Sequence, residues 1–188
     1  MFSIAEFLFV SEGVRGNLVA LRMVILKELK EVVPVLKFYL DAFPKEERRE
    51  VEDMERLLLE EPRYYLLGIE LEGQIVGLLS YWDLVEWICV EHFAIDASYR
   101  GEGIGAEVMK SFVADKRQIA LEVEPPEEEM ACRRIGFYER LGFKLWDIPY
   151  LQPPYRVGGA PVPLRIMTRG EEPTEALITE IHRVVYGI

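Results

Sequence analysis

Cysteine and histidine are scarce in this sequence, and long apolar runs are missing from it. The chain has 188 residues with 2 cysteines and 2 histidines. Two cysteines are too few for a disulfide framework, so the composition predicts a reducing, cytoplasmic environment. The sequence also has no closely spaced Cys and His ligands, and we predict no metal site. No apolar run approaches the roughly 18 residues of a membrane-spanning helix, and Met1–Val10 lacks the basic residues of a signal peptide.

Positive charge is the second deficit. Lys and Arg total 22 against 33 Asp and Glu, for a formal net charge of −11. A nucleic-acid partner requires a basic face, so this balance excludes nucleic acid as the main partner, and no membrane partner is expected. The chain is 50% hydrophobic, which is enough to bury a core. The length predicts one domain over residues 1–188, in which residues 1–17 form an N-terminal extension without a clear pattern.

The order of apolar patterns predicts a mixed α/β domain. Two apolar runs, Tyr64–Leu71 and Gln74–Leu84, flank a Glu-Gly turn as in a hairpin, and the strand Glu86–Ile95 follows closely. Three consecutive strands with short connections form an antiparallel meander. The other predicted elements are the strands Leu18–Leu26, Ile119–Glu124, Phe143–Leu151 and Pro163–Thr168, and helices from Lys27 to Ala42 with a break or bend at Pro34, Lys45–Glu60, from Gly103 to Ala114, from Pro125 up to Gly142, and Glu175–Tyr186.

A glycine-rich turn lies between the strand Glu86–Ile95 and the next helix. Arg100, Gly101, Gly103 and Gly105 stand where the turn meets the helix. The first amides of a helix have no intrahelical partner and lie at the positive end of the helix dipole, so this junction suits phosphate. Glycine has no Cβ to keep an anion away from the backbone. The turn therefore predicts a pyrophosphate-bearing ligand that is held mainly by the main chain.

The same glycines satisfy the dinucleotide fingerprint. Gly101-x-Gly103-x-x-Ala106 fits it, with Glu122 or Glu124 as the acid expected about 20 residues later. This motif would indicate a nucleotide-dependent oxidoreductase or methyltransferase. In a dinucleotide fold, however, the first glycine follows the strand almost at once and the unit opens a parallel sheet. Here a short loop intervenes and an antiparallel meander precedes the turn.

A second motif uses Arg100-Gly101-Glu102-Gly103-Ile104-Gly105. It resembles the R/Q-x-x-G-x-G/A signature of the GNAT superfamily of acyl-CoA-dependent N-acyltransferases. The resemblance covers roughly Met23 to Met167, and Ala131 departs from it because many members have asparagine there. Three further segments support it in the order of the family: Leu71–Gly77 in the hairpin, Glu91–Asp96 before the loop, and Phe137–Phe143, which is similar to the family's second hallmark.

The resemblance implies a mostly antiparallel sheet with one parallel pair that splays where CoA enters. It implies transfer of an acetyl or short acyl group from acetyl-CoA to a primary amine, by direct attack in a ternary complex. The acceptor would be a small-molecule or peptide amine, and a homodimer is one expected assembly. A non-catalytic CoA-binding regulatory module is the alternative. The implied CoA-binding residues are Arg100, Gly101, Gly103, Ile104, Gly105 and Ala106 at the pyrophosphate, and Phe93, Ala94 and Ile95 along the pantetheine arm.

Three carboxylates and one tyrosine are the catalytic candidates. An alkyl ammonium must lose a proton before it attacks, directly or through water. Glu91 is the leading hypothesis for the base because it lies on the strand beside the expected thioester. Glu122 and Glu124 are alternates on the adjacent strand, and a structural Glu91 with water as the proton acceptor stays open. Tyr138 matches the family tyrosine that often donates a proton to the leaving thiolate.

Cys89 is a weaker candidate, as a nucleophile that carries the acyl group. The nearest basic residue, His92, is three positions away and would face the opposite side of a regular strand. Aromatic residues on elements that commonly wall the acceptor site would suit an apolar or cationic amine, and they suit a plain core equally. They are Phe38, Phe43, Trp82, Trp87, Tyr150 and Tyr155.

Overall fold

The computed structural model describes residues 7–12, 18–27, 29–115 and 118–188. The strands are β1 Phe7–Glu12, β2 Leu18–Ile25, β3 Tyr64–Leu71, β4 Gln74–Leu84, β5 Trp87–Ile95, β6 Gln118–Val123, β7 Lys144–Leu145, β8 Tyr150–Gln152 and β9 Val162–Arg169. The helices are α1 Leu29–Ala42, α2 Val51–Glu60, α3 Ile104–Phe112, α4 Glu129–Glu139 and α5 Glu175–Ile181, and α5 continues into a π-helical turn, His182–Tyr186. The N-terminal extension contributes β1, and its residues 1–6 and 13–17 lie outside the described ranges.

One sheet organises the fold. Its strands follow the order β1-β2-β3-β4-β5-β6-β9-β7, and β8 pairs with β9 beside this path. Among the described strands, β5 and β6 form the one parallel pair, and the other neighbours are antiparallel. The predicted class, a mixed α/β fold with a mostly antiparallel sheet, is confirmed. The parallel sheet that a dinucleotide fold requires is not formed by the described strands.

Helices cover both faces of the sheet, so the core has two parts. On one face, α3 and α4 pack through Val108, Met109 and Ile135 onto the strands. On the other face, α1, α2 and α5 pack through residues such as Val35 and Leu177. Because side chains alternate along a strand, each central strand supplies both parts of the core. No helix in the described ranges combines the length and the apolar character needed to cross a membrane.

The segment Lys45–Glu60 is not the single helix that its charge pattern predicts. Lys45–Glu47 forms a 3-10 turn, the backbone is extended at Arg48 and Glu50, and α2 begins at Val51. The interruption lets Arg49, which is 9% exposed, turn into the interior. The first helix is not broken at Pro34, because α1 continues through that residue.

Two other element boundaries differ from the prediction, and prolines lie beside both of them. The helix expected from Pro125 begins only at Glu129, because the residues before it form turns. The strand expected over Phe143–Leu151 is divided into β7 and β8, with Pro149 between them. Proline lacks the N–H that a ladder needs, so it interrupts the pairing.

The parallel pair opens toward the carboxyl ends of its strands. β5 and β6 pair from Trp87↔Gln118 to Val90↔Leu121, and β5 then continues without β6 as far as Ile95. Backbone groups of a strand point alternately to its two neighbours, so part of the main chain of residues 91–95 faces the opening. This arrangement matches the splayed pair that the resemblance implies.

Candidate active site

A cavity of about 650 Å³ lies in the opening between β5 and β6. Its wall brings together most of the residues that the sequence singles out, on β5, on β6 and on α4. The wall includes the predicted residues Glu91, Phe93, Ala94, Ile95, Arg100, Gly101, Glu122, Glu124 and Tyr138. Gly103, Ile104, Gly105 and Ala106 follow directly in the chain but are not part of the cavity wall.

A β-bulge sets the direction of the side chains at the centre of the site. On β4, Ser80 pairs with His92 and Tyr81 pairs with Val90, so Glu91 is the extra residue. A bulge of this kind re-aims side chains. The ring of His92 therefore packs against Tyr39 on the α1 face of the sheet. The expectation that His92 faces away from Cys89 is wrong, because it assumed a regular strand.

Cys89 nevertheless gains no support as a nucleophile. It is 2% exposed and belongs to the core beneath α1 and α5. Burial raises the pKa of its thiol well above the usual value. A buried thiol that keeps its proton is a poor nucleophile.

Glu91 is held by a buried arginine. Arg49 donates from Nε and Nη2 to Oε1 of Glu91, at 2.8 and 2.7 Å, and Tyr155 donates its hydroxyl to the same oxygen at 3.0 Å. The Glu91 side chain is 1% exposed. Burial opposes its charge, but the Arg49 guanidinium outweighs that cost and holds the pKa of Glu91 well below the ordinary glutamate value. This pairing counts against Glu91 as the base.

Arg49 is itself fixed by further contacts. Its Nη2 donates to the carbonyl oxygen of Val185 at 2.6 Å, and its guanidinium lies 4.7 Å from the centroid of the Tyr155 ring. The π-helical turn at the C-terminus thus takes part in the site, as such turns frequently do. The sequence does not reveal this role, because Arg49 stands in a charged segment that predicts a solvated helix face.

His92 has a defined hydrogen-bonding pattern. Its Nε2 lies 3.1 Å from the carbonyl oxygen of Glu47, which can only accept, so Nε2 carries a proton. Its Nδ1 lies 3.2 Å from the hydroxyl of Ser80 and 3.6 Å from Oε2 of Glu91. In the neutral ring, Nδ1 accepts from Ser80. His92 therefore links β5 to the segment before α2 and does not pair with Cys89.

Glu122 lies in a different environment from Glu91. The hydroxyls of Tyr150 and Tyr186 donate to its two carboxylate oxygens, the second at 2.6 Å. Arg49 does not pair with it. Burial dominates and raises the pKa of Glu122 to about 7, although the two hydroxyl donors oppose the shift. A carboxylate that titrates near neutral pH is suited to general base catalysis.

The other predicted catalytic residues also lie at the cavity. Glu124 forms an ion pair with Arg134 of α4. Tyr138 is 7% exposed, and its ring packs on Phe137 and Phe143. Burial raises the pKa of the Tyr138 hydroxyl to about 12, so the group stays protonated over the working pH range.

The glycine turn adopts a backbone conformation that favours glycine. Gly101 and Gly103 adopt φ of +84° and +82°, and Gly103 is the N-cap of α3. A Cβ added to either glycine would meet nothing within 4 Å, so the turn has open space in front of it. The amides of Ile104 and Gly105 precede the first helical hydrogen bond, and that bond is made by Ala106 to Gly103. The Ala106 amide is thus already used by the helix.

Arg100 and the aromatic candidates have distinct positions. Arg100 Nε donates to the carbonyl oxygen of Ile95 at 3.1 Å, which ties the turn to the end of β5. Of the six aromatic candidates, Phe43 and Tyr155 line the cavity. Trp82 and Trp87 belong to the core. Tyr186 and Gln152 were missed, because no local pattern marks a residue that reaches the site from a distant part of the chain.

Comparison with known proteins agrees with this geometry. The model of the Acetyltransferase (GNAT) family matches residues 32–143. A solved structure assigned to the GNAT acetyltransferase family, from Bacteroides thetaiotaomicron, is 33% identical and covers 89% of this chain and 99% of its own, with a TM-score of 0.84. This chain therefore belongs to the GNAT acetyltransferase family.

Two relatives from Bacillus subtilis (strain 168) are similar over shorter regions. One, a candidate [ribosomal protein bS18]-alanine N-acetyltransferase, is 28% identical over 46% of this chain and 58% of its own. The other, a candidate acetyltransferase called YjbC, is 31% identical over 54% of this chain and 52% of its own. The matches thus span little more than half the length of these relatives.

Proposed function

We propose that this protein transfers an acetyl group from acetyl-CoA to a primary amine, by direct attack in a ternary complex. The observation that carries the proposal is the cavity between β5 and β6, which joins the glycine turn on one side to a titratable carboxylate, Glu122, on the other. One relative is named as a candidate [ribosomal protein bS18]-alanine N-acetyltransferase, and that name supports an amine as the acceptor class.

The residues present fit CoA. The free amides at the start of α3, the open space before Gly101 and Gly103, and the charge of Arg100 would hold the pyrophosphate. The main chain of Phe93, Ala94 and Ile95 faces the opening, where it would follow the pantetheine arm. When bound, acetyl-CoA supplies an activated acyl thioester.

The proton balance assigns roles to two side chains. Amide formation makes one C–N bond and breaks one C–S bond, while the acceptor ammonium gives up two protons and sulfur gains one. Glu122 would take the first proton and pass it to solvent, because its pKa lies near neutral pH. Tyr138 would donate the proton that sulfur gains. The second proton lost by the amine would restore the Tyr138 hydroxyl. Glu91, which Arg49 keeps ionised, would orient the acceptor and leave proton transfer to Glu122.

The test of CoA binding is a ligand panel with a glycine variant. The wild-type chain should be stabilised thermally by CoA and acetyl-CoA but not by NAD(P) or S-adenosylmethionine. The Gly103→Val variant should bind CoA at least about tenfold more weakly by calorimetry, because a branched side chain would stand before the helix amides.

The matched control is Gly73→Val. Gly73 has φ of +85° and open space around it, in the β3–β4 turn away from the cavity, so this variant carries similar backbone strain. It should lose stability and keep CoA affinity. Unchanged CoA affinity in a folded Gly103→Val protein would remove the phosphate role of the turn. Binding of CoA without any turnover of amines would favour the regulatory module.

Replacement of Tyr138 by phenylalanine tests the proposed acid. We expect kcat to fall by about tenfold to a hundredfold while the Kd for CoA stays within about twofold, because only the hydroxyl is removed. Stopped-flow turnover and calorimetry measure the two quantities. Tyr65→Phe is the control. Tyr65 lies in β3, where its ring stacks against Tyr81 of β4, and its replacement should leave kcat and the Kd for CoA unchanged. A Tyr138→Phe protein with wild-type kcat would exclude the hydroxyl as the acid.

A further inference from the structure

Two buried polar atoms at the cavity have no hydrogen-bond partner among the residues that the structure describes. One is Oε2 of Glu91, an acceptor that lies 3.6 Å from His92 Nδ1, beyond hydrogen-bond distance, while Oε1 receives the donors from Arg49 and Tyr155. The other is Nε2 of Gln152, a donor on a residue that is 3% exposed. Both residues line the same cavity. Orphaned groups of this kind are rare in folded proteins, and a bound ligand is one reason for their retention.

The two atoms have opposite hydrogen-bonding requirements. Oε2 of Glu91 needs an N–H or O–H donor, and Nε2 of Gln152 needs an oxygen acceptor. A hydroxyl or a carboxamide meets both needs with one neutral group. An ammonium offers only donors, a carboxylate offers only acceptors, and an alkyl group offers neither.

The charges at the cavity argue against an anionic group. Glu47 and Glu122 line the cavity, and burial raises the pKa of both carboxyls, although Arg134 opposes the shift at Glu47. The positive charge of Arg49 is already used by Glu91. Arg133 and Arg134 also line the cavity, but they pair with Glu129 and Glu124. A ligand carboxylate near Glu91 and Glu122 would therefore meet further carboxylates.

The loop after Gln152 bears on the size of the acceptor. Gln152 ends β8, and the loop that follows is tied to the opposite wall at two successive residues. Tyr155 donates to Glu91, and Arg156 bonds to Glu50 and to the carbonyl oxygen of Lys45. This loop therefore joins β8 to the segment before α2 beside the cavity, and we expect it to leave little room for an extended peptide.

We infer that the acceptor is a small amine that carries a neutral hydroxyl or carboxamide group, which hydrogen-bonds to Gln152 Nε2 and Glu91 Oε2. The inference rests on the proposed function and deepens it, because it names the class of amine. The reacting nitrogen lies toward Glu122, and the second group lies toward Gln152. Glu91 and Gln152 are thus specificity-determining residues, whose role is separate from the proton transfer at Glu122.

A matched series of amines tests this inference. The acceptors share a propyl spacer and differ in the terminal group: butylamine, propanolamine, γ-aminobutyramide, γ-aminobutyrate and trimethylenediamine, with a short peptide as a further arm. We expect kcat/KM for propanolamine or γ-aminobutyramide to exceed that for butylamine by about tenfold or more, because one hydrogen bond reaches a charged oxygen. The series is repeated with an ethyl spacer. Calorimetry with the same amines, in the absence of CoA, should give the same order of affinity.

The variant Gln152→Leu should remove the preference. The ratio of kcat/KM for the hydroxyl amine to that for butylamine should fall to about threefold or less, since leucine offers no donor. Gln74→Leu, at an exposed glutamine that accepts from Tyr99 outside the cavity, should retain the wild-type ratio. A ratio, unlike a rate, is insensitive to a general loss of folded protein.

The outcomes separate this inference from the proposed function. If no amine is acetylated, the proposed function fails. If all the amines are acetylated at similar kcat/KM, the acetyltransferase stands and the neutral polar group is wrong. Superiority of the diamine, the carboxylate or the peptide would likewise overturn the inference, as would a Gln152→Leu protein that keeps the wild-type ratio.

Discussion

Replacement of Glu122 by glutamine should lower kcat by about a hundredfold or more at neutral pH while leaving CoA affinity unchanged. A general base contributes roughly two to four orders of magnitude. Glutamine fills the same space and can still hydrogen-bond with Tyr150 and Tyr186, so the fold should persist. The measurements are steady-state turnover, CoA calorimetry and circular dichroism of the same preparations.

The pH profile provides an independent readout of Glu122. Burial raises the pKa of this carboxyl to about 7. The ionised form would act as the proposed base, so kcat/KM of the wild type should rise with pH through an inflection near this value. The inflection should be absent in Glu122→Gln. It should move to higher pH in Tyr186→Phe, because that change removes a hydrogen bond that favours the charged form.

Three other glutamates complete the experiment. Glu70→Gln changes a carboxylate that pairs with Arg22, between β2 and β3, and should leave kcat and the profile unaltered. Glu124→Gln tests the alternate carboxylate that directly follows β6. A large loss in Glu124→Gln or in Glu91→Gln, with an intact inflection in Glu122→Gln, would transfer the role to one of those residues.

Replacement of Arg49 by methionine should destabilise the protein by about 3–5 kcal/mol, the cost of leaving one partner of a buried ion pair alone. The guanidinium bonds to Glu91 and to the Val185 carbonyl, and methionine can do neither. Urea unfolding measures the loss. Arg22→Met is the control, because Arg22 is 38% exposed in its pair with Glu70 and should cost about 1 kcal/mol or less.

A second change should rescue much of that loss. In Arg49→Met with Glu91→Gln, no buried charge is left unpaired, so the double variant should be more stable than Arg49→Met alone. A negligible loss in the single variant, or a double variant that is less stable still, would show that the pair is not the source of stability.

The same pair predicts acid sensitivity. Arg49 lowers the pKa of Glu91 in the folded state below its unfolded value. Its contribution is therefore complete above the ordinary glutamate pKa and is lost as pH falls below that value, toward the folded pKa. The stability of the wild type should decrease over this acidic range more steeply than that of Glu91→Gln.

Much of the fold was accessible from local pattern. The hairpin strands Tyr64–Leu71 and Gln74–Leu84 match β3 and β4, because alternating apolar residues on either side of a tight turn leave little choice of structure. The strand, turn and helix around Gly103 were also predicted. The errors lie where one residue overrides a pattern, as when Arg49 turns inward and interrupts a helix that its neighbours favour.

One part of the candidate site could be predicted from the sequence and another part could not. The glycine turn is a local device, in which conformation and free amides come from adjacent residues, so its sequence predicts it. The preference for Glu122 over Glu91 as the proposed base did not follow from the sequence. Glu91 and Glu122 are both strand glutamates next to apolar neighbours, and what separates them is the arginine or the tyrosines that reach each of them.

The sequence by itself determined the GNAT acetyltransferase family, most of the strands and helices in their order, and the turn proposed to meet a pyrophosphate. Only the tertiary structure decided which carboxylate keeps its charge and which titrates near neutral pH, and which buried atoms are left for an acceptor. Arg49 and Val185, which hydrogen-bond at the site, are 136 positions apart along the chain. Periodicity and motif spacing act over a few residues, whereas the electric field at a buried carboxylate depends on every group that the fold brings within a few ångströms of it.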